Sequence, residues 1–131
     1  MQGKVLLIED EPNIAEAIRF LLTRDGWQVT VLGDGETAEQ VVQETGPDLV
    51  ILDFMLPGRS GLDIVAALRA RAETVALPVM MLTARGQGRD REAAERAGVT
   101  HFMTKPFANA EMLAAVRALV DPATGRSAIR A

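Results

Sequence analysis

The sequence predicts an α/β fold in which a five-stranded parallel sheet is covered by helices on both faces. Short apolar runs alternate along the chain with segments of helical periodicity, and this alternation defines βαβ units with right-handed crossovers. Three of the runs are apolar throughout, as strands buried on both faces of a sheet must be. The length of 131 residues, of which 48% are apolar, suits one domain with one core.

Five segments are predicted to be strands. Four are apolar runs, and the fifth is a weaker segment that precedes a lysine–proline pair. The second run interleaves Gln28 and Thr30 with apolar residues, which is typical of an edge strand. The five segments are Val5–Ile8, Val29–Leu32, Leu49–Leu52, Val79–Leu82 and His101–Met103.

A helical pattern follows each strand. The first helix has Pro12 in its first turn and ends at Gly26, and Ser60 is positioned to cap the third. The segment from Arg89 to Ala97 has only alanines as apolar members, so we expect a helix with little area to anchor it. The apolar positions of the other four helices are Ile14, Ala17, Ile18, Leu21 and Leu22, then Ala38, Val41 and Val42, then Leu62, Val65 and Leu68, and last Met112, Val116, Leu119 and Val120.

The domain is predicted to occupy residues 1–121. After Val120 the periodicity dissolves into Asp, Pro, Gly and Ser, and residues 122–131 are predicted to be a C-terminal tail or the start of a linker. These few residues cannot form a further domain. A stand-alone domain and a fragment of a longer protein both remain open.

Composition excludes several classes of function. The chain has no cysteine and one histidine, which argues against disulfides, thiol catalysis, zinc sites and Ser-His triads. A net charge of −4 argues against direct nucleic-acid binding. The apolar runs are too short to span a membrane, and no secretory signal is present. We therefore expect a cytoplasmic domain whose chemistry uses carboxylates, Thr, Lys or backbone groups.

Functional side chains follow four of the predicted strands at their carboxyl ends, where ligands bind in sheets of this kind. The helix dipole alone would explain acidic residues after the first strand. Asp53 is different, because it closes a fully apolar strand where an unpaired carboxylate is costly. The residues at the strand ends are Glu9, Asp10 and Glu11, then Asp53, then Thr83, and finally Lys105.

Together these groups suit metal-dependent phosphoryl transfer. Mg²⁺ prefers oxygen ligands and commonly takes one or two carboxylates plus waters and phosphate oxygens. An aspartate can act as the nucleophile and form an aspartyl phosphate. Positioning and charge neutralisation supply most of the catalysis in such reactions, and Thr83 and Lys105 offer a hydroxyl and a cation for that purpose.

At these residues the sequence resembles the receiver domains of two-component response regulators, which are bacterial phosphorelay proteins. The resemblance extends from Lys4 to Val120 and implies a doubly wound, flavodoxin-like sheet of order 2-1-3-4-5. It also implies a phosphoacceptor that assists its own phosphorylation and dephosphorylation, and not an enzyme. The matching segments are Glu9-Asp10-Glu11, the run from Asp53 to Gly61, Thr83-Ala84, and Lys105-Pro106-Phe107.

The resemblance implies a phosphoacceptor and a metal site. Asp53 would accept a phosphoryl group from the phosphohistidine of a sensor histidine kinase or a histidine phosphotransfer protein. Asp10 and Asp53 would bind Mg²⁺ (or Mn²⁺) directly, and Glu9 would bind it through water. The backbone carbonyl of Met55 would complete the protein ligands.

The resemblance also implies a switch. Lys105, joined to Pro106 by a cis bond, would pair with a phosphoryl oxygen, and Thr83 would turn its hydroxyl onto the phosphoryl group. Phe102 would then turn inward and change the face formed by the fourth helix, fifth strand and fifth helix, which contacts a downstream protein or output domain. Tyr is frequent at this position. Since Phe lacks the phenolic oxygen, we expect the inward orientation even before phosphorylation.

Two residues that flank the phosphoryl group in this family predict a long-lived phosphoprotein. Here they are Met55 and Arg85. Hydrolysis needs a water in line with the P–O bond, and neither a thioether nor a guanidinium can accept its proton.

The residues after the first strand argue against three related classes of protein. A flavodoxin-like FMN carrier or a P-loop or Rossmann nucleotide binder would need a hydroxyl- or glycine-rich loop there, and a haloacid-dehalogenase-type phosphatase would need Asp-x-Asp. Glu9-Asp10-Glu11 matches none of these. The alternative that stays open is a phosphorylation-independent pseudo-receiver, acting as a protein-interaction module.

Overall fold

The computed structural model describes residues 2–84 and 88–120, in which strands and helices alternate as predicted. All five predicted strands and all five predicted helices are present, and the first two strands begin two residues earlier than predicted. The strands are β1 (Gly3–Ile8), β2 (Trp27–Leu32), β3 (Leu49–Asp53), β4 (Val79–Thr83) and β5 (His101–Thr104). The helices are α1 (Pro12–Arg24), α2 (Ala38–Thr45), α3 (Gly61–Arg69), α4 (Gly88–Ala97) and α5 (Asn109–Val120).

The strands form one parallel sheet in the order β2-β1-β3-β4-β5, which confirms the predicted fold class and the predicted edge position of β2. Asp53 on β3 is paired with Leu82 on β4, and Thr83 on β4 is paired with Thr104 on β5. Because the strands run in the same direction, their carboxyl ends meet at one edge of the sheet.

Two apolar layers cover the sheet, one on each face. Alternate residues of β1 enter different layers, with Leu7 on one face and Leu6 on the other. The first layer packs against α1 and α5, and the second against α2, α3 and α4. Burial on both faces explains why β3 and β4 are apolar throughout up to the polar residues that end them.

The helix ends are fixed by the capping residues that the sequence indicates. The Ser60 hydroxyl accepts a hydrogen bond from the Asp63 N–H at 3.1 Å, which confirms Ser60 as the cap of α3. The Glu11 carboxylate accepts from the Asn13 N–H at 3.4 Å and caps α1. Glu11 thus has the ordinary role of an acidic residue at a helix start.

Helix α4 is thinly anchored, as predicted, with Ala94 as its one fully buried residue. Arg69, at the end of α3, contacts the end of α4 through hydrogen bonds. Its Nε donates to the Gly98 carbonyl at 2.9 Å and its Nη1 to the Thr74 carbonyl at 3.1 Å. A cation at the C-terminus of a helix also interacts favourably with the helix dipole.

Residues 85–87 and 121–131 lie outside the described part of the chain, and so therefore do Arg85 and the predicted tail at 122–131. Within the described ranges, no helix combines the length and the apolar character needed to cross a membrane.

Candidate functional site

Three carboxylates meet at the carboxyl edge of the sheet. Glu9 and Asp10 follow β1, and Asp53 ends the neighbouring strand β3. One oxygen from each of the three lies within 4.8 Å of the others. Glu9 and Asp53 are buried, whereas Asp10 is exposed to solvent. The cluster is therefore built into the core on one side and open to solvent on the other.

Lys105 bridges two of these carboxylates. Its Nζ donates to Glu9 Oε1 at 2.9 Å and to Asp53 Oδ2 at 2.8 Å. The Lys105 N–H donates to the Thr83 carbonyl at 2.7 Å, which ties the segment after β5 to the end of β4. The Lys105–Pro106 peptide bond is cis, as the family resemblance implies. One ammonium thus offsets part of the negative charge of the cluster.

Burial and charge act in opposite directions on these groups. Burial raises the pKa of Glu9, although hydrogen bonds from Lys105 and from the Glu11 N–H act to lower it. Burial acts to lower the pKa of Lys105, but hydrogen bonds to Asp53 and Glu9 outweigh it, so the pKa of Lys105 is raised. The Lys105 ammonium therefore stays charged in this arrangement. The buried carboxylates need its positive charge, and its own charge is stabilised by them.

The loop after β3 folds back tightly on Asp53. The Met55 N–H donates to Asp53 Oδ1 at 3.3 Å, so the two oxygens of this carboxylate have different partners. The Phe54 N–H donates to the Leu82 carbonyl at 2.8 Å, and the Gly61 N–H donates to the Phe54 carbonyl at 3.0 Å. The Met55 side chain points to solvent and is 62% exposed. Its backbone lies beside the acidic cluster.

The two residues of the implied switch lie on adjacent strands. Thr83 ends β4 and is buried. Phe102 on β5 is 8% exposed and packs into the apolar layer shared with α2, α3 and α4, so its ring faces inward. The guanidinium carbon of Arg91, on α4, lies 5.0 Å from the ring centroid. This cation–π contact was not predicted, because no spacing rule relates residues on two different elements.

An ion pair between α2 and the loop after β3 was also not predicted from the sequence. The guanidinium of Arg59, in the loop between β3 and α3, donates to the carboxylate of Glu39 on α2. Both side chains are largely buried, with 25% and 28% of their surfaces exposed. The two residues are 20 positions apart in sequence, so helix spacing could not have related them.

The carboxylate cluster could hold a metal ion. Its donors are all oxygens, which suits a hard divalent cation. The open side at Asp10 leaves room for water or a ligand oxygen to complete the coordination. Of the predicted site residues, the structure brings Glu9, Asp10, Asp53 and Lys105 together, with the Met55 backbone and the end of β4 beside them.

Comparison with known proteins defines the class to which this arrangement belongs. The sequence profile of the response regulator receiver domain matches residues 5–117, so the chain belongs to the family of receiver domains of two-component response regulators. It is 40% identical over 116 residues to the sensory transduction protein RegX3 of Mycolicibacterium smegmatis, which covers 88% of this chain and 50% of that protein. It is 40% identical over 120 residues to the phosphate regulon transcriptional regulatory protein PhoB of Rhizobium meliloti, which covers 92% of this chain and 53% of that protein.

Solved structures agree with this family. A putative response regulator from Chloroflexus aurantiacus superposes with a TM-score of 0.86 at 30% identity, covering 90% of this chain and 97% of that one. The activated receiver domain of Klebsiella pneumoniae RstA superposes with a TM-score of 0.84 at 29% identity, and the match covers 90% of this chain and 98% of that one. The chain spans about half the length of the curated relatives that it matches. A receiver domain is a signalling module and not an enzyme in the ordinary sense, and none of these relatives supports the pseudo-receiver alternative.

Proposed function

We propose that Asp53 accepts a phosphoryl group from the phosphohistidine of a sensor histidine kinase or a histidine phosphotransfer protein, in the cytoplasm. The observation that carries the proposal is the environment of its carboxylate. Oδ2 accepts from Lys105 and Oδ1 faces the Met55 N–H, so the group is oriented at the open edge of the sheet. A carboxylate held in this way is a suitable nucleophile.

The transfer exchanges one bond to phosphorus for another. An oxygen of Asp53 attacks the phosphorus, the P–N bond breaks, and the imidazole leaves with its electron pair. Asp10, Asp53 and the Met55 carbonyl, with Glu9 acting through water, would hold Mg²⁺ or Mn²⁺, which would supply charge neutralisation. Lys105 exchanges its contact with Asp53 for one with a phosphoryl oxygen and offers its positive charge there.

The signal is proposed to leave through the face formed by α4, β5 and α5. Thr83 turns its hydroxyl toward the phosphoryl group, and Phe102 on the next strand occupies the inward position. Helix α4 has one fully buried residue, so few apolar contacts oppose its displacement. The partner that responds to this face is a downstream protein or an output domain.

The kinase is proposed to dock on α1. Phe20 on this helix is 57% exposed, and the guanidinium of Arg24 lies 5.5 Å from its ring. Together with Leu113 of α5 these residues line a groove between α1 and α5. A large exposed aromatic ring beside a groove is typical of a protein-binding surface.

The decisive experiment is phosphorylation with acetyl phosphate and Mg²⁺, followed by intact-protein mass spectrometry. We expect the wild-type protein to gain the mass of one phosphoryl group and Asp53→Asn to gain none. Asp63→Asn, the same substitution at an exposed residue of α3, is the matched control and should be phosphorylated normally. Unmodified wild-type protein would contradict the proposal, and turnover of a free phosphomonoester would favour a phosphatase instead.

The phosphoryl group is expected to persist for minutes, and Met55→Asn should shorten its half-life on the order of tenfold. The Met55 side chain is solvent-exposed beside Asp53 and offers no group that can orient a water, whereas an amide can. The half-life is measured by following loss of phosphoprotein after removal of acetyl phosphate. Met55→Leu is the control and should retain the wild-type rate. A wild-type half-life of seconds would contradict this expectation.

A further inference from the structure

A three-point contact joins the start of α2 to the loop that follows Asp53. The Glu39 carboxylate accepts from the Arg59 guanidinium. The Glu36 carboxylate lies against Gly58, where an added Cβ would be 2.4 Å from Glu36 Oε1. Gly35 packs against the Arg59 backbone, since a Cβ there would be 3.4 Å from the Arg59 carbonyl oxygen. These five residues are termed the α2 clamp.

The ion pair of the α2 clamp is better sheltered than an ordinary surface pair. About three quarters of each side chain is removed from solvent, so screening by water is weaker than for an exposed pair. The hydrogen bond to Glu39 raises the pKa of Arg59, and the hydrogen bond from Arg59 lowers the pKa of Glu39. Both groups are therefore charged throughout the neutral range, and the pair is maintained.

The α2 clamp fixes one end of a short loop whose other end is fixed at the sheet. At the sheet end, the Phe54 N–H donates to the Leu82 carbonyl on β4. At the clamp end, the chain turns at Gly58, whose φ of +82° favours glycine, and then enters the contact with α2. Met55 lies between these two points with its side chain in solvent. Its backbone position thus depends on both ends of the loop.

We propose that Glu39 and Arg59 are positioning residues for the divalent cation site. The ion pair sets the path of residues 55–58 and hence the place of the Met55 carbonyl relative to the Asp53 carboxylate. This inference rests on the proposed function, because the Met55 carbonyl is a cation ligand only in that proposal. Neither residue touches the cation itself; each acts through the loop.

A simple charge effect predicts a different result and can be separated from positioning. Arg59 is a cation near an acidic site, so removing its charge would strengthen Mg²⁺ binding if only long-range attraction mattered. Removing the charge of Glu39 would weaken it. Positioning predicts that both substitutions weaken Mg²⁺ binding, because each breaks the same contact. The direction of the change in the Arg59 variant therefore distinguishes the two explanations.

The test is the Mg²⁺ dissociation constant, measured by isothermal titration calorimetry on the whole chain. Arg59→Gln and Glu39→Gln are each expected to raise Kd by about threefold to tenfold. The double variant should resemble either single one, because the two residues share one interaction. Arg59→Lys keeps the charge and should recover part of the affinity. Glu16→Gln, which removes an exposed ion pair with Arg19 on α1, is the matched control and should leave Kd unchanged.

Hydrogen exchange supplies a second readout that does not need the cation. In metal-free buffer, the amides of Met55 and Leu56 should exchange faster in both glutamine variants, while those of β1 and β3 should not change. Unchanged exchange and unchanged Kd, or tighter Mg²⁺ binding by Arg59→Gln, would overturn the inference and leave the proposed function intact. A wild-type chain that binds no Mg²⁺ would overturn both.

Discussion

Lys105→Ala is expected to lower the free energy of unfolding by about 3 kcal/mol at neutral pH in metal-free buffer. The lost ammonium is the hydrogen-bonded partner of both Glu9 and Asp53, at 2.9 and 2.8 Å. Without it, two buried carboxylates would face each other with no cation between them. Urea unfolding at neutral pH in the presence of EDTA measures the loss.

The loss of stability in Lys105→Ala should depend on pH and on the presence of Mg²⁺. Burial already raises the pKa of Glu9, and removing the Lys105 hydrogen bond raises it further. The folded variant then binds more protons than the unfolded chain between the ordinary glutamate pKa of about 4.3 and that raised value, so its stability falls as pH rises through this window. Added Mg²⁺ should restore more stability to the variant than it adds to the wild type.

The chain offers a matched control in its only other lysine. Lys4 on β1 is exposed, and its Nζ donates to the Thr45 carbonyl at 3.3 Å. Lys4→Ala should change the free energy of unfolding by no more than about 0.5 kcal/mol. If Lys105→Ala and Lys4→Ala lowered the free energy of unfolding by the same amount, the buried pairing of Lys105 with Glu9 and Asp53 would not contribute as described.

Gly61→Ala should be the other strongly destabilising substitution, costing about 3 kcal/mol. A Cβ at this position would lie 2.4 Å from the Asp53 carbonyl oxygen and 2.8 Å from Leu52 Cδ1. The strand backbone cannot move without moving the Asp53 carboxylate, so Mg²⁺ affinity and phosphorylation should fall together with stability. Helix propensity alone would not disfavour alanine at this first position of α3, so a net loss of stability is diagnostic of the clash.

Thermal or urea unfolding checks this expectation, with Gly33→Ala as the control. No atom lies within 4 Å of a Cβ at Gly33, and its φ is not in the left-handed region. That variant should be as stable as the wild type. A Gly61→Ala protein that unfolds at the wild-type urea concentration would contradict the close approach between the start of α3 and β3.

The strands and their ends were predictable because the signals are local. The run that becomes β3 is apolar because both faces of the strand are covered, and Asp53 stands out as the polar residue that ends it. The parallel arrangement then requires that Asp53 and the acids after β1 share one edge. The sequence could not show that Lys105 pairs with Glu9 as well as with Asp53.

Contacts between elements escaped prediction for a common physical reason. The periodicity of a helix reports which face is buried, but not which residue of a distant element lies opposite. Arg91 on α4 reaches Phe102 on β5, and Glu39 on α2 reaches Arg59 in a loop. Each contact depends on how two elements pack, and the sequence of either element alone is compatible with an exposed, unpaired charge.

The large sequence separation between Lys105 and Glu9 has a consequence for folding during synthesis on the ribosome. The two residues are 96 positions apart, and β5 is the last strand to be synthesised. A nascent chain that already carries both buried carboxylates lacks the ammonium that accommodates them, and folding that depends on such distant contacts is completed late. We therefore expect the arrangement around Asp53, on which the proposed phosphorylation depends, to form only after Lys105 has been synthesised.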